Sequence, residues 1–244
     1  MSAAAPRQQM SPVPDPEFDA FADRYDEALR RGLDASGESK EYFADGRARW
    51  TRRRLDALGH AAGRVLDFGC GTGSATPYLL GALGAREVVG SDTSIASLDV
   101  ARRSFAGRGD SPARFVAPDG VAALAPFDTA FCNGVFHHIP LADRAGAVAA
   151  VRDALAPGGL FAFWENNPWN PGTRWVMSRI EFDRDAVTLA PPEARRLLRA
   201  GGFEVLRTDS LFWFPRLLAA LRPLEPLLAA IPLGGQYLVL CRKR

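Results

Sequence analysis

The chain has 244 residues, enough to bury a full core as one domain with decorations rather than as two domains. Its 24% charged and 47% hydrophobic residues are those of an ordinary globular protein, and a net charge of +2 gives no electrostatic case for nucleic acid as the main partner. Cys70, Cys132 and Cys241 are far apart, each in or beside an apolar run, so they form neither a metal-spaced set nor a disulfide framework and read as reduced core residues of a cytoplasmic protein.

The first 17 residues carry four prolines and no apolar run, which predicts a disordered tail and not a signal peptide. Phe18, Phe21, Ala22, Tyr25 and Leu29 follow at helical spacing and predict a helix over 18–33. A polar break, DASGES, leads into a second helix from about Lys40 to Leu58. Its basic run, Arg47 to Arg54, could meet an anionic substrate group, although a solvated helix face is the plainer reading and is favoured.

From Arg64 onward strands and helices alternate, the pattern of a parallel sheet covered on both faces. Strands are expected at about 64–67, 87–91, 114–117, 127–135, 160–164, 203–209 and 237–241. Helices fall between them: 74–83 with Pro77 in its first turn, 93–105 capped by Thr93 or Ser94, 141–155 stopped by Pro157-Gly158-Gly159, and 192–200 closed by Gly201-Gly202. Residues 211–233 are strongly apolar, but four prolines, two arginines and a glutamate argue against a membrane span. A lid or dimer surface is the plain reading of this stretch, ahead of a wall for an apolar or lipid-linked acceptor and of peripheral membrane contact.

Gly69, Gly71 and Gly73 follow the first strand at alternate positions and lead into a helix. Strand end, glycine turn and helix N-terminus make a pocket for a nucleotide-like ligand, because glycine lets the backbone approach it. The spacing is not the G-x-G-x-x-G of a dinucleotide fingerprint, since Ser74 stands at the sixth position. Asp92 ends the second strand about 20 residues further on, where a carboxylate can accept both hydroxyls of a ribose.

The string Asp67 to Gly73, D-F-G-C-G-T-G, resembles motif I of the class I S-adenosylmethionine (SAM) dependent methyltransferases. FDTAFCNGVFHHI, then a helix and L-x-PGG, resembles motifs IV and V of the same family, in its ubiquinone/menaquinone-type small-molecule group. The resemblance implies a Rossmann-like α/β fold: a seven-stranded, mostly parallel sheet with an antiparallel last strand at its edge and helices on both faces. It implies a tail over 1–17, an N-terminal helical cap over 18–62, and a methyltransferase domain over 63–244 with insertions near 166–185 and 211–235. Its implied cofactor is SAM, held by Asp67, Phe68, Gly69, Gly71, Gly73, Asp92, Thr93, Asp119, Gly120 and Asn133, with Gly120 donating its backbone N–H.

His137 and His138 then lie at the fourth strand's end, near the transferred methyl group. Either could act as general base, with His138 preferred; helix capping or a backbone hydrogen bond is the structural alternative. Tyr25, Tyr42, Trp50, Glu165, Asn166 and Trp169 are candidate substrate-pocket residues. The expected function is methyl transfer to a small organic acceptor, on O, N or C, with a homodimer left open. A nicotinamide-dependent oxidoreductase and a non-catalytic SAM-binding regulator are the rivals.

Overall fold

Strand periodicity decides how this sheet is covered, because side chains two residues apart share a face. A computed structural model describes residues 37–106, 112–180 and 186–244. The tail, the helix expected over 18–33 with Tyr25, and part of the 166–185 stretch lie outside them. Seven strands run in the spatial order β3-β2-β1-β4-β5-β7-β6. They are β1 (Arg64–Phe68), β2 (Glu87–Ser91), β3 (Ala113–Val116), β4 (Phe127–Asn133), β5 (Leu155–Asn166), β6 (Phe203–Leu211) and β7 (Gln236–Lys243). The first five pair in parallel, and β7 runs antiparallel to both its neighbours.

Alternation along the strands fills two core layers. Val65, Val88, Phe131, Leu160 and Trp164 face one layer, which α1 (Lys40–Asp56) and α2 (Thr76–Leu80) cover. Leu66, Val89, Cys132, Phe161 and Phe163 face the other, covered by α5 (Arg144–Ala154) and α7 (Pro191–Ala200). Between these lie α3 (Ile95–Phe105), packed on β3 through Leu98 and Phe115, and the short α4 (Val121–Leu124) and α6 (Pro171–Met177). Burial pushes the Cys132 thiol well above its usual range and that of Cys241 to about 12, so both are unreactive core groups.

Two expectations change. Strand β7 lies between β5 and β6 and not at the edge. It is apolar on both faces, with Leu238 and Leu240 in one layer and Tyr237 and Val239 in the other, whereas β6 carries Glu204 and Arg207 and tolerates the edge. The helix over 74–83 contracts to 76–80, ended at Gly81.

The inner face of α1 is fastened to the sheet by polar groups as well as apolar ones. Asp209 on β6, 1% exposed, accepts from Trp50 Nε1 at 3.0 Å, from Arg54 at 2.5 and 3.1 Å, and from Arg207 at 2.7 Å. Trp164 Nε1 donates to Thr51 Oγ1 at 3.0 Å.

Candidate active site

The order of the strands reverses beside β1, and the crevice outside such a switch point is where open α/β sheets bind ligands. The turn that follows β1 holds Gly69, Gly71 and Gly73 at φ of 74°, 51° and 75°, the left-handed region. A Cβ at Gly69 would stand 2.3 Å from Val135 Cγ2, so this glycine lets the turn close onto the end of β4. A Cβ at Gly71 would meet nothing within 4 Å: this part of the turn opens onto space and not onto protein.

Asp92 braces that turn. Its Oδ2 accepts from the Gly71 N–H at 2.7 Å and its Oδ1 from the Ser94 N–H at 2.9 Å. Both oxygens are thus held by backbone amides at the mouth of the turn. Ser94, not Thr93, caps α3, accepting from the Ser97 N–H at 3.1 Å; Thr93 is exposed beside Asp92.

Asp67, at the end of β1, is buried, and its Oδ2 has no hydrogen-bond partner among the described residues. Burial first, and the Asp92 charge second, raise its pKa to about 7, against a smaller opposing pull from Arg47. A buried acid with a lone acceptor atom is suited to a cationic donor. With the open cradle at Gly71, it fits the aminoacid-bearing sulfonium nucleoside SAM. Phe68 packs on Phe136 with ring centroids 6.1 Å apart. Asp119 is exposed in a 3-10 turn over Pro118–Gly120, and the Gly120 N–H is donated to Ala117 O at 3.0 Å inside that turn. The amide expected to face the ligand is therefore committed to the turn.

A cavity of about 380 Å³ adjoins the far side of this crevice, a size suited to a small organic molecule. Asn133, at the end of β4, and both histidines line it, as do Tyr42, Asn166 and Arg47. Arg47 Nη1 donates to Gln236 Oε1 at 2.9 Å, and Gln236 Nε2 to Asn166 Oδ1 at 3.1 Å, a polar chain that joins α1, β7 and β5. Phe212 supplies an aromatic wall, with ring centroids 5.0 Å from Phe43 and 6.0 Å from Tyr42.

The two histidines differ. His137 is buried, and its Nδ1 lies 2.6 Å from Glu165 Oε2, while Glu165 Oε1 accepts from the Phe136 N–H at 2.8 Å. Its carbonyl accepts from the Val187 N–H at 3.1 Å, so ring and backbone are both fixed. His138 is half-buried, with its ring centroid 4.1 Å from that of His137. The carboxylate orients one imidazole, and that imidazole is His137.

Several candidate residues stand elsewhere. Glu165 is behind the cavity wall rather than on it. Trp50 is spent in the Asp209 clasp, and Trp169 is exposed outside the lining. Sequence reasoning noted the basic run of α1 but not that Arg47 is its inward member. The signal was present, since Arg47 falls on the stripe of Ala44, Ala48, Thr51 and Leu55 that the helix buries. It also missed Glu225, whose buried carboxylate accepts from the Phe212, Trp213 and Phe214 N–H groups at 3.1–3.3 Å and holds Phe212 at a φ of 60°.

Residues 66–161 match the family described as Methyltransferase domain. The demethylmenaquinone methyltransferase of Thermus thermophilus is 35% identical over 170 residues, covering 68% of this chain and 72% of that protein. Trans-aconitate 2-methyltransferases of Methylobacterium nodulans and Rhizobium leguminosarum are 32% and 33% identical, and the chain spans only 57% and 37% of their lengths. Among solved structures, a SAM-dependent methyltransferase from Clostridium acetobutylicum shares the fold at a TM-score of 0.63 and 16% identity, over 93% of this chain and 98% of that one. Another from Mesorhizobium loti does so at 0.54 and 22%, over 82% and 100%.

Proposed function

Since this chain belongs to the class I SAM-dependent methyltransferases, we propose that it methylates a small acceptor whose reacting atom carries a proton, a hydroxyl or an acidic carbon. The His137–Glu165 pair at the cavity wall carries this reading. When bound, SAM supplies a methyl group already activated on a sulfonium sulfur. Asp67, the three glycines and Asp92 would hold it, with Phe68, Thr93, Asp119 and Gly120 beside them and Asn133 on the acceptor side.

Displacement from a sulfonium needs positioning above all, and amine or carboxylate acceptors need no base. A buried imidazole held by a carboxylate is superfluous for them and useful for a hydroxyl. Glu165, which engages Nδ1, would orient the ring and stabilise the imidazolium formed when it takes the acceptor's proton. The relatives are named for two different acceptors, demethylmenaquinone and trans-aconitate, so their names support the reaction class and leave the acceptor to the cavity.

The test follows labelled methyl groups from SAM into phenols, hydroquinones, carboxylates and amines. Phenols or hydroquinones should be labelled, and His137→Ala should lower kcat by about 10²–10⁴-fold. Label entering only carboxylates or tertiary amines, or an undiminished rate in His137→Ala, would overturn the reading.

A further inference from the structure

The apolar stretch over 211–233 folds as a kinked 3-10 run, Arg216–Leu224, and a single helical turn, α8 (Glu225–Leu228). Leu211 is buried and Phe212, Trp213, Phe214 and Leu228 are half-buried, but most of the other large side chains are not. Leu217 is 93% exposed and Leu227 79%, and Leu221, Leu224, Ile231 and Leu233 are exposed as well. Leu221 and Leu224 stand three residues apart in the 3-10 run, the spacing that stacks side chains in such a helix, and Leu227 follows on α8. So many open leucines on one short stretch mark an interaction surface.

Charge says what covers it. The described residues of the two segments flanking the cavity, 171–180 and 211–233, carry Arg174, Arg179, Arg216 and Arg222 and one acid, Glu225. Glu225 is buried under three backbone amides, so the acid is withdrawn from the surface while Arg174, Arg179 and Arg216 stay exposed. The guanidinium of Arg179 sits 4.0 Å over the ring of Trp175, which is 47% exposed. Exposed leucines and an arginine-stacked tryptophan, on two segments that line one cavity, suit the headgroup boundary of a bilayer, where the apolar parts sink and the cations meet anionic lipid. The surface is also continuous with the site, because Trp175, Phe214 and Pro215 belong to these segments and line the cavity.

We propose that this face docks the protein peripherally on an anionic lipid bilayer, with the acceptor cavity on the docked side. No helix among the described residues is long and apolar enough to cross a membrane, so the contact is superficial. The inference rests on the surface alone and is independent of which acceptor atom is methylated.

The full chain is sedimented with vesicles of phosphatidylcholine alone and of phosphatidylcholine mixed with phosphatidylglycerol, at low and high salt. It should partition onto the mixed vesicles, less so at high salt. Leu217→Ser with Leu227→Ser should lower that partition by about tenfold or more. The same variant should keep wild-type thermal stability and S-adenosylhomocysteine (SAH) affinity, which separates lost docking from lost folding. Wild-type protein left in solution with both vesicle types, or leucine variants that partition as wild type, would overturn the proposal. So would a wild-type dimer in light scattering that the leucine variants dissolve without any vesicle binding, since the face would then be a contact between copies.

Discussion

Asp67→Asn should make the ligand-free protein more stable at pH 8 while weakening its hold on SAM. The acid is buried and its pKa stands at about 7, against an ordinary value of 3.8. Because the folded value is the higher one, the folded state holds the proton more tightly, and stability falls as pH rises from about 4 to about 7. At about 1.36 kcal/mol per pH unit, that span amounts to roughly 4 kcal/mol. An asparagine cannot ionise and escapes this cost, but its amide without a partner takes back about 1–3 kcal/mol. The net gain is about 2 kcal/mol at pH 8, or about 4–8 °C in Tm for a chain of this size, while below pH 4 only the amide cost is left and the variant is the less stable by about 1–3 kcal/mol.

Thermal unfolding of both proteins across pH 4–8 reads this directly, since their shared titrating groups cancel in the difference. Calorimetry with SAH should show at least about tenfold weaker binding by the variant, the loss expected for one charge-assisted hydrogen bond. A Tm difference that stays flat with pH, or an asparagine variant less stable at pH 8, would refute the assignment of Asp67 as a strained receptor.

Other sites give separate expectations. Glu165→Gln turns an amide toward His137 and forces its other tautomer, so kcat on a hydroxyl acceptor should fall about 10²–10⁴-fold with SAH affinity unchanged; a loss under threefold would remove Glu165 from the reaction. Gly71→Ala meets no atom within 4 Å and should cost only the about 1–2 kcal/mol of its left-handed backbone, while lowering SAH affinity. Gly69→Ala adds a 2.3 Å approach to Val135 and should be clearly less stable than Gly71→Ala in urea, so equal midpoints would contradict the geometry. Asp209→Ala leaves the Trp50 N–H and the nearly buried Arg54 without their acceptor and should destabilise by about 3 kcal/mol; a change under about 1 kcal/mol would show the clasp to be replaceable.

The glycine turn was legible because its signals are local. Strand, glycine turn and Asp92 lie within one strand–helix–strand unit, and the φ values at Gly69, Gly71 and Gly73 are what a glycine-only backbone demands. The seven strands were readable from alternation for the same reason. The place of β7 was not, because strand order depends on which strand can bear an open edge, a comparison between β6 and β7 and not a property of either.

The acceptor side stayed closed to sequence reasoning because each of its parts is defined by a distant residue. His137 and His138 are adjacent and chemically alike, and they are told apart by their surroundings: Glu165 lies 2.6 Å from His137, which is buried, while His138 is half-buried. Phe212 shapes the cavity wall from a backbone conformation that its own side chain disfavours. Glu225 holds it there from the far side of the 3-10 run, and Gly46 on α1 makes room, since a Cβ at that glycine would stand 2.8 Å from the Phe212 ring. On the proposed reading the donor pocket would lie within one unit of chain, whereas the cavity is lined from α1, the end of β5 and the 211–233 segment.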